Sequence, residues 1–167
     1  MHTGYDIAQV LETLQDDKEI TIKAVSKQTV VYPPYMIVGN GRYSKRHGVK
    51  SMDIVDVCAQ LNTAESAVLK FFKDCFVDNT INKEEYPNII VPTGWDSYTS
   101  YLKKSLEKNY AHMEYVGVIK RERRGVYMLN PYLFMPRKDA LVPSQNRWAD
   151  IGGVRPALED DNDEVTS

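Results

Sequence analysis

One stretch in the last third of the chain constrains the fold most, because it places a turn between two strand-forming runs. Residues 118–120 (VIK) and 126–129 (VYML) are rich in strand-forming side chains, and a charged segment closed by Gly125 separates them. Glycine supplies the backbone conformation that a tight turn between antiparallel strands needs. Asn130 and Pro131 end the second run, since proline donates no backbone hydrogen bond. The stretch therefore predicts a β-hairpin with a cationic tip.

Two helical segments precede the hairpin and are predicted to supply much of the apolar core. Apolar side chains recur at helical spacing between residues 51 and 61, where Ser51 is predicted as the N-cap, and again over 63–77. Asn62 divides the segments, and Glu65 follows it at the spacing of a variant capping box. The second segment is the most apolar of the chain, which predicts a central core helix.

The stretch between these helices and the hairpin predicts a short strand and then a basic helix. Residues 88–91 are mostly apolar and end at Pro92, as a short strand does. Residues 93–115 have helical spacing, with apolar side chains on one side and lysines on the other. This segment is predicted either as one long helix or as two helices separated by a tight turn near residues 100–104.

Both ends of the chain are predicted as extensions of this central part. Residues 5–16 have the periodicity of a short amphipathic helix, and residues 20–32 that of a strand or hairpin. A further strand is predicted over 35–38, and residues 39–48 are predicted as a loop. From about Pro136 the periodicity is lost, which predicts an extended arm.

Charge is distributed unevenly along the chain. The formal net charge is −2, yet residues 157–167 hold five acidic and no basic side chains, so the rest of the chain carries +3. A basic body favours a polyanionic partner. The acidic end predicts a disordered tail, which can compete with nucleic acid, dock a protein partner or only aid solubility.

Length and composition are typical of a soluble single domain. The chain has 167 residues, 43% of them hydrophobic, which is enough to bury a core. No apolar run is long enough for a membrane helix, and the first residues do not resemble a secretory signal, so we expect a cytoplasmic protein. Cys58 and Cys75 are expected to be reduced core cysteines. The three histidines, at 2, 47 and 112, are too dispersed for a metal site.

No catalytic motif is recognisable. The chain lacks the G-x-x-x-x-G-K phosphate loop and the G-x-S-x-G nucleophile elbow. Its carboxylates do not pair in a frame typical of acid–base catalysis. We therefore expect a binding protein with no catalytic residues, no cofactor and no metal.

The order of the predicted elements is that of a winged helix: a core helix, a short strand, a basic helix and a cationic hairpin. The sequence thus predicts an α+β fold with a winged helix-turn-helix over residues 51–136. A helix and strand extension is predicted over 1–50, and an extended arm with a disordered acidic tail over 137–167. In a winged helix one helix lies in the DNA major groove and the hairpin reaches the flanking backbone.

Three groups of polar and basic side chains are candidates for contacts with nucleic acid. Side chains of the basic helix can face the major groove, and those of the hairpin can pair with phosphates. Lysines on a polar helix face are otherwise ordinary solvated residues, whereas four cations within five hairpin positions are unusual. The candidates are Lys103, Lys104, Ser105, Lys108 and Asn109 on the helix, Lys120, Arg121, Arg123 and Arg124 on the hairpin, and Arg42, Lys45 and Arg46 in the loop.

Tyrosines in the same part of the chain favour a second interpretation. Proteins that bind single strands stack bases on aromatic side chains beside a cationic groove. The simpler alternative is that these tyrosines are half-buried core and hairpin residues. The cluster comprises Tyr98, Tyr101, Tyr110, Tyr115 and Tyr127.

The residues around the hairpin resemble the C-terminal part of winged-helix replication-initiation proteins of the RepL type, from Firmicute plasmids and related phages. The similarity consists of G-V-I-K-R at 117–121 and G-x-Y-x-x-N-P-x-x-F at 125–134. Leu61, Glu65, Val68 and Leu69 are similar to the helix entry of that family. The resemblance covers about residues 51–136, and it implies duplex DNA binding at an origin or operator.

Three functions remain open at this point. The first is DNA binding in replication initiation or transcription control. The second is an accessory protein that binds single-stranded nucleic acid and carries a regulatory acidic tail. The third is a winged-helix adaptor between proteins. Duplex DNA is the preferred partner and single-stranded DNA the alternative. A protein partner of the tail and a homodimer are left open, and no membrane is expected.

Overall fold

The computed structural model describes residues 37–45, 48–82 and 86–157. Side chains are described throughout these ranges except at 79–82 and 138. The helix and strands predicted before residue 37, Arg46 and the acidic tail from 158 onward lie outside the described residues.

The described residues form an α+β fold with small antiparallel sheets. The helices are α1 (Ile54–Ala59), α2 (Thr63–Asn82), α3 (Ser100–Val116) and α4 (Lys138–Asp150), with a 3-10 helix at Pro92–Gly94. The strands are β1 (Ile37–Val38), β2 (Tyr43–Ser44), β3 (Val49–Lys50), β4 (Ile89–Ile90), β5 (Ile119–Arg123), β6 (Val126–Leu129) and β7 (Phe134–Met135). None of the described helices is long and apolar enough to cross a membrane.

The N-cap of α1 differs from the sequence prediction. Asp53, not Ser51, caps this helix, because its carboxylate accepts hydrogen bonds from the backbone N–H of Val55 at 2.8 Å and of Asp56 at 3.3 Å. Ser51 is buried, and its hydroxyl accepts a hydrogen bond from the backbone N–H of Asn40 at 3.1 Å. The Ser51 side chain, which the sequence predicts as the N-cap, therefore makes a tertiary contact instead.

The start of α2 is as predicted. The backbone N–H of Glu65 donates to Asn62 Oδ1 at 2.9 Å, and the backbone N–H of Asn62 donates to Glu65 Oε2 at 3.0 Å. This reciprocal pair confirms the variant capping box. The helix continues to Asn82, five residues beyond the predicted end.

The basic helix α3 is a single helix that begins at Ser100. The Thr99 hydroxyl accepts from the backbone N–H of Leu102 at 3.3 Å, and Gly117 ends the helix in the left-handed conformation with φ 92°. The chain before it forms only the 3-10 helix and turns. Neither predicted alternative, one helix over 93–115 or two helices meeting near 100–104, is therefore correct.

The predicted hairpin is confirmed, and it supplies the central strand β6 and the edge strand β5 of a three-stranded sheet with the order β4-β6-β5. Ile119 lies opposite Leu129, and the register shifts between Arg121 and Arg123 in a bulge. Gly125 has φ 73°, as the turn requires. The predicted strand over 88–91 is also confirmed as β4, with Ile90 opposite Tyr127.

The segment predicted as a loop over 39–48 contains part of a small hairpin, in which β2 pairs with β3. The strand before it, β1, is the described part of the strand predicted over 35–38, and it pairs with β7. The backbone N–H of Gly39 donates to Leu133 at 2.7 Å, and that of Met52 donates to Tyr132 at 3.0 Å. These contacts attach the segment to the chain that follows β6.

The extended arm predicted after Pro136 is wrong for residues 138–150, which form α4. Proline inside a helix removes a hydrogen bond, and Pro143 is such a proline. Burial of one face of the helix outweighs the loss of that hydrogen bond, because Leu141, Ser144 and Trp148 recur at helical spacing and are all buried. The Trp148 indole N–H also donates to the carbonyl of Val154 at 2.7 Å, which fixes the chain beyond the helix.

The core lies where α2 packs against α3 and the three-stranded sheet. Cys75 is buried in this core as predicted, whereas Cys58 is exposed, so the prediction for Cys58 is wrong. Asn130 is a buried polar residue at the core edge, where its amide N–H donates to the carbonyls of Gly117 at 2.7 Å and Val154 at 3.2 Å. Its Oδ1 accepts from the backbone N–H of Tyr132 at 2.8 Å, so this one side chain joins three segments.

Candidate nucleic-acid interface

Strand β5 runs back along α3, and this arrangement sets the position of the cationic hairpin tip. Lys120 Nζ donates to Glu114 Oε1 at 2.8 Å, and the backbone N–H of Arg121 donates to the Tyr110 hydroxyl at 2.8 Å. Residue numbers rise along the strand while they fall along the helix, so the two run antiparallel. The strand continues past Arg121 and thus directs the tip toward the half of α3 that contains the lysines.

The exposed strip of α3 consists of side chains three or four positions apart. Lys104, Glu107, Lys108, Ala111 and Tyr115 are all exposed and share one face of the helix. Lys103 is exposed beside this strip. The strip is therefore a continuous surface with two lysines near its start and an aromatic ring at its end.

Two of the predicted helix candidates lie elsewhere. Ser105 is buried, and Asn109 is half-buried, where its amide N–H donates to the carbonyl of Ser105 at 2.8 Å. Asn109 Oδ1 also accepts from Asn62 at 3.5 Å, which ties α3 to the start of α2. The expectation that Ser105 shares the polar face with the lysines is wrong, because Ser105 is buried beside Leu106, whereas Asn109 lies partly exposed where α3 meets α2.

Two hairpin cations are engaged by carboxylates. Lys120 pairs with Glu114, and the Lys120 ammonium together with the Tyr110 hydroxyl holds the pKa of Glu114 below its usual value. Arg123 pairs with Glu122 at 2.6 Å. The Arg147 guanidinium of α4 also contacts Glu122, and Arg147 first, then Arg123, keep the pKa of Glu122 below its usual value.

Arg121 has a different environment, since it lies on aromatic rings. Its guanidinium carbon is 4.7 Å from the ring centre of Tyr110 and 5.7 Å from that of Tyr127. A hydrogen bond to Tyr127 also raises the pKa of the Arg121 guanidinium above its usual value, so the group is held in place by both tyrosines while the side chain stays exposed. Burial and a hydrogen bond to Glu114 raise the pKa of Tyr110 to about 12, so the ring remains neutral. Arg124 is exposed at the hairpin tip.

No described contact joins the candidate residues of the loop to those of α3 or the hairpin. Arg42 and Lys45 are exposed on the β2–β3 segment. Within the described residues, the backbone hydrogen bonds that attach this segment go to Tyr132 and Leu133, not to α3 or the hairpin tip.

The tyrosine cluster divides into two groups. Tyr98, Tyr110 and Tyr127 pack among aromatic neighbours; Tyr98, for example, stacks on Phe71 with ring centres 5.4 Å apart. Tyr101 and Tyr115 are exposed, at 59% and 81%. Three of the five are thus core and hairpin residues, and two are free to meet a ligand.

Sequence reasoning missed one feature of this surface. Arg147 braces the hairpin through Glu122, and the sequence carries no local sign of this contact. Within the described ranges, no group of three or more His, Cys, Asp or Glu side chains is arranged to hold a metal ion.

Comparison with known proteins found no matching protein-family model, no similar characterised protein and no similar solved structure.

Proposed function

We propose that this protein binds duplex DNA, with the exposed strip of α3 in the major groove and hairpin β5–β6 on the flanking backbone. The observation that carries the proposal is the antiparallel return of β5 along α3, which directs the arginines of the tip toward the lysines of the helix. An α-helix fits the major groove, and its exposed side chains can reach base edges there. Phosphate contacts from the hairpin then fix the register of the protein on the duplex.

The fold supports this proposal through its element order. A core helix (α2), a strand (β4), a basic helix (α3) and a hairpin follow one another, and β4 completes the sheet by pairing with β6. This arrangement agrees with a winged helix, in which α3 is the recognition helix and hairpin β5–β6 is the wing. The 3-10 helix at Pro92–Gly94 then stands where a winged helix usually has a longer helix.

Local charge supports it as well. Residues 103–124 hold seven basic and three acidic side chains, although the whole chain is net negative. Two of those three acids, Glu114 and Glu122, are paired with cations. The exposed surface of this region therefore favours a polyanion, and salt-sensitive binding is expected. A role in replication initiation or transcription control, at a plasmid or phage site, rests on the resemblance of residues 51–136 to the RepL-type proteins.

The test is fluorescence anisotropy of the full chain with a duplex oligonucleotide over a series of salt concentrations. The double variant Lys104→Ala/Lys108→Ala should bind more weakly and show a smaller salt dependence. Each lost phosphate contact lowers the slope of log K against log salt by about 0.9. Lys70→Ala is the matched control, because Lys70 is an exposed lysine of a different helix, α2.

A DNA-binding role requires that the wild-type chain bind at low salt and that the α3 variant, but not the Lys70 variant, bind less. A loss in the Lys70 variant about half that in the double variant would mean that only total charge matters, because the first removes one positive charge and the second removes two. Absence of binding would leave the protein–protein adaptor as the function to pursue.

A further inference from the structure

A groove opens beside the end of the exposed strip of α3. Its walls are the second half of α3, the beginning of β5 and the chain after α4, and its volume is about 440 Å³. Ala111, Tyr115, Ile119 and Val154 give it apolar surface. Glu114, Lys120 and Gly152 complete the lining.

The groove combines two kinds of surface that suit one class of ligand. Tyr115 presents an exposed ring, and Val154 adds exposed apolar surface beside it. Glu114 and Lys120 keep 35% and 25% of their side chains accessible, and they offer an acceptor and a donor at 2.8 Å from each other. A flat ring with polar edges can stack on the tyrosine and exchange hydrogen bonds with this pair. Nucleobases are such rings, and proteins hold unstacked bases in this way.

The position of the groove indicates how such a base would arrive. Lys104, Lys108, Ala111 and Tyr115 follow one another along the exposed strip of α3, so the groove continues the cationic surface. Nucleic acid held by the lysines would extend past Tyr115. Charge complementarity therefore favours a nucleic-acid occupant over an apolar side chain of a protein.

We propose that this groove binds an unpaired nucleobase, stacked on Tyr115 and hydrogen-bonded by Glu114 and Lys120. The inference rests on the proposed DNA binding and deepens it. A paired base is stacked on both faces and bonded along its edge, so it cannot enter. The protein is therefore expected to prefer duplex DNA that carries an unpaired nucleotide, as at a bulge, an overhang or an opened duplex.

The experiment compares the affinity of the full chain for a continuous duplex with its affinity for the same duplex carrying one bulged nucleotide. The wild type should bind the bulged duplex at least about fivefold more tightly, which is the lower end of the effect of stacking one base on an aromatic ring. Tyr115→Leu should lower the affinity for the bulged duplex to that for the continuous duplex and so abolish this preference, whereas Tyr115→Phe should keep it. Tyr101→Leu, which alters the other exposed tyrosine of α3, is the control and should also keep it.

The outcomes separate the groove from the DNA-binding surface as a whole. Salt-sensitive duplex binding with no preference for the bulge would overturn the proposal that the groove binds a base. It would leave the proposed DNA binding standing. The groove is likewise overturned if Tyr115→Leu keeps the preference, or if it weakens both complexes equally, since Tyr115 would then contact paired DNA. Failure of the wild type to bind either duplex would overturn both proposals.

Discussion

Glu122 of β5 and Arg147 of α4 form an ion pair that joins hairpin β5–β6 to helix α4. The Glu122 side chain is only 6% exposed, and it also contacts Arg123. The pair places a buried carboxylate directly behind the cationic tip. The stability of the hairpin and its surface charge therefore depend on the same side chain.

The first prediction concerns the pH dependence of this pair. The folded-state pKa of Glu122 is lowered, chiefly by Arg147, so the contribution of this carboxylate to the free energy of unfolding is fully present above the usual carboxyl pKa of 4.5. That contribution is lost as the pH falls through the lowered pKa of the folded state. Glu122→Gln should destabilise the protein in urea unfolding at pH 7, and the difference from the wild type should shrink on acidification toward pH 3. A difference that stays constant with pH would assign the effect to packing instead of charge.

A second prediction concerns the pair of His112 and Glu65. Glu65 is 1% exposed, and its Oε1 lies 2.7 Å from His112 Nδ1, while its other oxygen accepts from the backbone N–H of Asn62. His112→Ala leaves one buried carboxylate oxygen without its partner, which should cost about 1–3 kcal/mol of unfolding free energy.

Urea unfolding measures that loss, and the double variant His112→Ala/Glu65→Gln tests its cause. If the unpaired carboxylate is responsible, the two changes together should cost less than the sum of the single changes. Simple additivity would contradict the pairing.

A third prediction compares two glycines with positive φ. An added Cβ at Gly125 meets nothing within 4 Å, whereas one at Gly117 would lie 2.8 Å from the Cβ of Val154. Gly125→Ala should cost about 1–2 kcal/mol from backbone strain alone. Gly117→Ala should cost clearly more, because steric overlap adds to the strain. Thermal unfolding of the two variants decides the order, and equal losses would mean that the chain around Val154 yields easily.

The fourth prediction separates the hairpin cations. Arg121 is exposed and held on Tyr110 and Tyr127, whereas Arg123 is paired with Glu122. Arg121→Ala should lower the salt slope of DNA binding by about 0.9, and Arg121→Lys should restore little of it, because an ammonium cannot stack as a planar group does. Arg123→Ala should have a smaller effect.

Salt-dependent anisotropy with all three variants measures these differences. Full recovery by Arg121→Lys would show that only the charge of this residue matters. An unchanged slope in Arg121→Ala would remove it from the interface.

Local sequence patterns predicted the elements whose contacts are themselves local. The Asn62–Glu65 capping box and the hairpin closed by Gly125 depend on residues a few positions apart, so the sequence carries their full description. Ser51 and Asp53 could each cap α1, and the contact that chose between them comes from Asn40, eleven residues from Ser51. No local pattern contains that information.

The candidate site was predicted in part. The exposed lysines and arginines were identified by residue type, but Ser105 and Asn109 were grouped with them only because they are polar. The position of Ser105 next to Leu106 places it on the inner side of the helix, and this could have been derived from the sequence. Helix α4 could not have been derived from the sequence. Pro143 argues against a helix, and the burial of Trp148 appears only in the fold.

The carbonyl of Val154 accepts hydrogen bonds from both the Trp148 indole and the Asn130 amide. A fragment cut at Pro136 would keep every strand of the three-stranded sheet, yet it would lose this acceptor and the α4 arginine behind the tip. Expression of a shortened protein for binding studies should therefore extend at least through Pro156. Limited proteolysis should find the first stable cut beyond that residue, not at the end of β7.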